Sequence, residues 1–228
     1  MIKGIEVKMD ILFYTDLAVL ICAGISFMIY FQKYVGLNKP LYAAMDVLGI
    51  GCIALGRVYR LSRILTGLTT EGIFNIGVLG TVGCFAFFFS SNFGQLDSIV
   101  DDGSKEFFKY RLYALLAPII IIISFVPILL SNEATTEKAG NILIMITACA
   151  AAYYHTKHIF IPDIEYGIVK CQRGFNTLAL MFIIMNMAEM NMYAYKAEIP
   201  LIAVSVAECI ILILIMPIMD MGVKRWSK

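Results

Sequence analysis

The sequence predicts an all-α membrane protein: a polytopic bundle of seven transmembrane helices, N-terminus outside and C-terminus inside, in a single transmembrane domain over residues 1–228. Three observations predict it. The first is composition: 60% hydrophobic and 15% charged, with a mean hydropathy of +0.82, whereas soluble domains run at about 45–50% apolar and 25% charged. The second is seven predominantly apolar runs, each near the roughly 20 residues that span a hydrocarbon layer about 30 Å thick. The third is the distribution of lysine and arginine between the loops. The backbone of a membrane segment must bond within itself, and the alternation of a β-barrel is absent, so the runs are read as helices.

The first span is Ile11–Phe31. Its apolar run is long for a signal peptide, and Gln32-Lys33-Tyr34 is a poor cleavage site, so it is read as retained. The second is Leu41–Leu61, with Gly49, Cys52 and Gly56 in one stripe, and the third is Ile73–Phe93, with Gly77, Gly80 and Cys84 in another. Small-residue stripes let helices approach closely, so these two spans are expected to pack together. The fourth, Tyr110–Leu130, is the most apolar, and Pro118 and Pro127 are expected to kink it. Ile142–Ile161, Leu178–Ala194 and Ile199–Met219 complete the set.

Orientation follows from the flanking cations. Eleven lysines and arginines, among them Lys33, Lys105, Lys157, Arg173 and Lys224, fall on one side, and six, including Arg60 and Arg63, on the other. The excess marks the cytoplasmic face. With only a short tail after Met219, no soluble output domain is expected, and no convincing internal repeat is visible.

The chemistry is expected where ionisable residues interrupt apolar runs. Glu208 lies near the middle of Ile199–Met219, one turn from Ser205. A charge at that depth costs several kcal/mol unless neutral, paired or wetted, which makes it a functional-site candidate. Asn186, Glu189 and Tyr193 stand at i, i+3 and i+7 and share a helix face. Asp16, Arg57 and Asn75 fall in the same outer half. One arginine cannot pair with three acids, so either a carboxyl holds a proton or water and a cationic ligand enter. The set Glu208, Glu189, Arg57, Asp16, Asn186, Tyr193 and Ser205 is therefore the candidate solute- or ion-binding site. Its plain alternative is a structural ion pair of Arg57 with Glu189 or Asp16.

Other patterns carry less. Arg57-x-x-Arg60-x-x-Arg63 reads as interfacial anchors, with an anion-attracting rim as the functional alternative. His155 and His158, followed by Asp163 and Glu165, have metal-ligand types, but no third histidine exists, so they are read as interfacial. The methionines from Met181 to Met192 scatter around their helix and read as core filler rather than a copper site. The six cysteines, none in a Cys-x-x-Cys, read as small reduced residues within the bundle. No Gly-x-Ser-x-Gly, phosphate-cradling loop or convincing Cys–His pair points to catalysis, and no cofactor or nucleic-acid partner is expected. Seven helices with an outside N-terminus are also the plan of microbial rhodopsins, but Ile199–Met219 lacks the lysine that would carry retinal, so no family is assigned.

The expectation is a small transporter or permease of the cell membrane, handling a small polar solute or ion and leaning away from enzyme activity. A seven-helix sensor or receptor signalling to a partner is the first alternative. A non-catalytic membrane subunit of a larger assembly is the second. The bilayer is the certain partner under each reading, with a membrane protein or a second copy as further candidates.

Overall fold

The computed structural model describes residues 11–67, 75–131, 135–162 and 167–226. The described residues are 90% helix, with no strand among them. The helices are α1 (Ile11–Tyr34), α2 (Leu41–Thr66) and α3 (Ile76–Ser91). They are followed by α4 (Lys105–Leu130), α5 (Thr135–Phe160), α6 (Ile168–Ala194) and α7 (Glu198–Trp226). Among the described residues, six are long and apolar enough to cross a membrane: all but α5. α5 has the length, at 26 residues, but its last turns hold Tyr153, Tyr154, His155, Lys157 and His158. The fold therefore supports a multi-pass membrane protein.

Six helices close a ring in the order α1, α2, α3, α5, α6, α7, and α4 lies outside it against α5 and α6. The small-residue stripes of α2 and α3 meet as the sequence predicts. A Cβ added at Gly80 would stand 2.6 Å from the Cys52 carbonyl oxygen and 2.8 Å from the Gly56 Cα, so only glycine permits this approach. The ring is closed between its first and last helices, where Asp220 of α7 accepts hydrogen bonds from Lys33 and Tyr34 of α1.

The proline effect in α4 falls one turn before Pro118, not at both prolines. Pro118 has no N–H for the Ala114 carbonyl, and the helix breaks at Leu115, whose N–H bonds the Leu112 carbonyl instead. Pro127 lies inside continuing helix. Two side chains of the α6 end satisfy carbonyls near it: Asn191 donates to Ser124 O at 3.0 Å and Tyr195 to Pro127 O at 2.9 Å.

Polarity is distributed inside out. The exterior is apolar, with Ile119, Ile120, Ile122, Ile123 and Leu130 of α4 exposed, while Asp16, Asp46, Arg57, Glu189 and Glu208 are all buried. A hydrocarbon solvent makes this the stable arrangement, because charges at the lipid face have nothing to pair with.

Candidate functional site

Along α2, Tyr42 and Asp46 give way to Ile50 and Ile53 and then to Arg57. Along α6, Gln172 and Asn176 give way to Ala179, Phe182 and Ile183 and then to Asn186 and Glu189. The interior thus has two polar layers, an arginine end and a histidine end, separated by an apolar one.

At the arginine end four helices converge on one guanidinium. Arg57 Nη1 donates to Asp16 Oδ1 of α1 at 2.6 Å and to Glu189 Oε1 of α6 at 2.5 Å. Its Nη2 donates to Glu189 Oε2 at 2.5 Å and to Glu208 Oε2 of α7 at 3.1 Å. The Glu189 contact is the bidentate fork that favours arginine over lysine. Arg60, one turn on, closes the mouth: its Nε lies 3.2 Å from Asp16 Oδ2 and its Nη1 3.5 Å from Glu189 Oε1. Its guanidinium stacks over the Tyr193 ring at 5.7 Å. Arg60 is 31% exposed while Glu208 is fully buried, so the cluster runs from a half-open rim to a closed floor.

The charges do not balance. Among the described residues, three carboxylates meet two guanidiniums, leaving one formal negative charge in a buried site. Burying an uncompensated charge costs several kcal/mol, so a proton or a bound cation must complete the cluster. The floor has acceptors to spare. Among the described residues, Glu208 Oε1, Asn186 Oδ1 and Ser205 Oγ have no protein partner, and all three residues are at most 3% exposed.

Of the candidate site residues, Asp16, Arg57, Glu189 and Glu208 thus meet directly. Asn186 is buried one turn before Glu189 on α6, Ser205 is buried one turn before Glu208 on α7, and Tyr193 stands at the rim, half exposed. Asn75 belongs elsewhere: it caps α3, its Oδ1 accepting the Val78 N–H at 2.8 Å. The reading of all three arginines as interfacial anchors is corrected too. Arg57 turns fully inward and Arg60 partly so, because three acids outcompete the interface.

The histidines likewise point into the bundle rather than outward. His155 and His158 are buried, since the helix of α6 begins at Ile168, well before the apolar run, and covers them. Past α3 the chain makes a π-helical turn, Asn92–Asp97, and both its end residues reach α5. Asn92 Nδ2 lies 2.8 Å from His155 Nδ1 and donates to Asn176 Oδ1 at 3.0 Å, while its Oδ1 is 2.7 Å from His158 Nδ1. His158 Nε2 lies 3.1 Å from Asp97 Oδ1, and Lys157 Nζ bonds Asp97 at 2.6 Å and Asp101 at 2.7 Å. Arg111 holds Asp101 with two donors at 2.7 and 2.8 Å. That grip, with Lys157 behind it, keeps the Asp101 carboxyl below its ordinary value. Burial pushes Asp97 up, but His158 and Lys157 outweigh it and leave it lowered. Among the described residues no three metal-ligating side chains gather, and Asp163 and Glu165 lie outside them.

A cleft of about 560 Å³ between α4 and α6 is lined by Ile120, Pro127, Met187 and Tyr195. Its polar groups Asn191 and Tyr195 are already engaged with α4 carbonyls, so it offers little for recognition. Compared with family models, curated proteins and solved structures, the chain matches none.

Proposed function

We propose that the protein is a small transporter or permease of the cell membrane, with seven transmembrane helices, its N-terminus outside and its C-terminus inside. The Asp16–Arg57–Glu189–Glu208 cluster is its site for a small polar solute or ion. The observation that carries this reading is the unbalanced negative charge on a floor of unused oxygen acceptors. A sealed structural network would gain by matching its charges; one that lacks a positive charge is suited to bind and release one. At 26 residues α5 is long enough to be the seventh span, and its polar turns face the interior rather than lipid. The cationic side chains Lys33, Lys157 and Lys224 sit at the histidine end, which supports its placement inside. The arginine end then opens outward.

The test is infrared spectroscopy of the purified protein in lipid, comparing wild type with Glu208→Gln. The expected result is a carboxylic-acid C=O band that is lost in Glu208→Gln and shifts within minutes of transfer to D2O. With the protein washed free of exchangeable metal cations, no such band across the accessible pH range, or one that stays unexchanged for hours, would make the cluster a sealed structural network and sink the transport reading.

A further inference from the structure

The histidine end holds a second buried polar layer that the transport reading does not use. Its starting point is Asp46 on α2, 1% exposed, with Ser91 of α3 beside it. The titratable groups facing it are Tyr42, one turn earlier on α2, and Cys84 of α3; Tyr42 in turn faces Gln172 and Cys171 of α6. No ion pair to Asp46 occurs among the described residues. Ser91 adjoins Asn92, and from Asn92 the hydrogen bonds run through His158 to Asp97 and Lys157, then to Asp101 and Arg111. Arg111 is 27% exposed, so the chain of polar groups starts at the surface and ends at a buried acid.

The layer is not saturated by protein. Among the described residues, Asp46 Oδ1, His155 Nε2, Asn176 Nδ2 and Thr156 Oγ1 are buried without a protein partner. A polar group left unpaired in an apolar medium costs roughly 1–3 kcal/mol even on mutational scales. Several such groups in one layer are the setting in which internal water is retained.

Towards the arginine end the layer stops at a wall of rings. Phe88 packs on His155 and Phe175 with centroids at 5.7 and 5.8 Å, and Phe85 and Phe88 each meet Phe182 at 6.5 Å. All four phenylalanines are at most 2% exposed. Asp46 and Arg57 are 11 positions apart on α2, about 16 Å at the helical rise.

We propose that the histidine-end layer is an internal hydrated site that binds water and exchanges a proton at Asp46, open towards Arg111 and closed by the phenylalanine wall. This inference stands on the second layer alone and survives if the arginine-end site proves to be structural.

X-ray hydroxyl-radical labelling of the wild-type protein in lipid, in ¹⁸O-enriched water, tests it. Radicals generated from bound water oxidise the side chains next to it. The expected result is several-fold stronger ¹⁸O labelling of Tyr42, His155 and Phe175 than of Phe85 and Phe182. Unlabelled Tyr42 and His155 would overturn the hydrated site; equal labelling of Phe85 and Phe182 would overturn the wall. Infrared spectra of Asp46→Asn add the proton: loss of a carboxyl band that exchanges with D2O supports it, and an unchanged spectrum refutes Asp46 as the carrier. Glu208→Gln should leave both readouts of this site as in wild type.

Discussion

The two polar layers solve the same problem by opposite means. The arginine end buries full charges and ties carboxylates from three helices to one guanidinium on a fourth. The histidine end buries mostly amide and imidazole groups, and its ion pairs step outward from Lys157 and Asp101, each 4% exposed, to Asp97 at 16% and Arg111 at 27%. Charges pay a large desolvation cost and depend on every partner, whereas a neutral network loses its contributions piecemeal. One layer should therefore fail all at once and the other by degrees.

The sharpest way to break that contrast is Arg57→Met. It removes the partner shared by three buried carboxyls and is expected to cost about 3–5 kcal/mol, read as a fall in the denaturation midpoint of the protein in detergent. Asn92→Leu, which removes the shared partner of His155, Asn176 and His158, should cost about 1–3 kcal/mol by the same measurement. If the second loss equals the first, the two layers are not different in kind. Glu208→Gln should stay within about 1.5 kcal/mol of wild type, since the amide oxygen can still accept from Arg57 and the remaining charges balance.

The smallest effect is local and depends on pH. Asp101 and Asp97 are held below their ordinary values in the folded chain. Their contribution is therefore complete above the unfolded carboxylate value of about 3.9 and is lost as pH falls below it. Amide exchange corrected for intrinsic rates should rise across residues 97–112 between pH 6 and pH 3 and stay unchanged around Phe182. Equal loosening at both places would mean that the histidine end is not a separate unit.

Much of the arginine end was legible because charge is conspicuous in an apolar run: Asp16, Arg57, Glu189 and Glu208 each interrupt one. The same criterion hid the other end. Beginning the sixth span at Leu178 cut off Gln172 and Asn176, although their i, i+4 spacing marks a polar helix face. Asp46 stands alone inside Leu41–Leu61, where one acid has no visible partner in sequence. The wide turn at Asn92–Asp97 has no hydropathy signature, so the polar contacts it delivers could not be read ahead. His155 and His158 had the right spacing, but their depth depends on how far neighbouring helices extend beyond their apolar windows.

The ring closes between its first and last helices, which sets an order on how the protein is made. Arg57 is separated from Asp16 by 41 positions, but from Glu189 and Glu208 by 132 and 151. During synthesis the arginine must therefore wait in the bilayer with a single carboxylate, the one carried by its own hairpin. Asp16 acts first as an escort for α2 and only afterwards as a wall of the finished cluster. Asp16→Asn should accordingly lower the yield of inserted protein more than it lowers the stability of the molecules that do assemble.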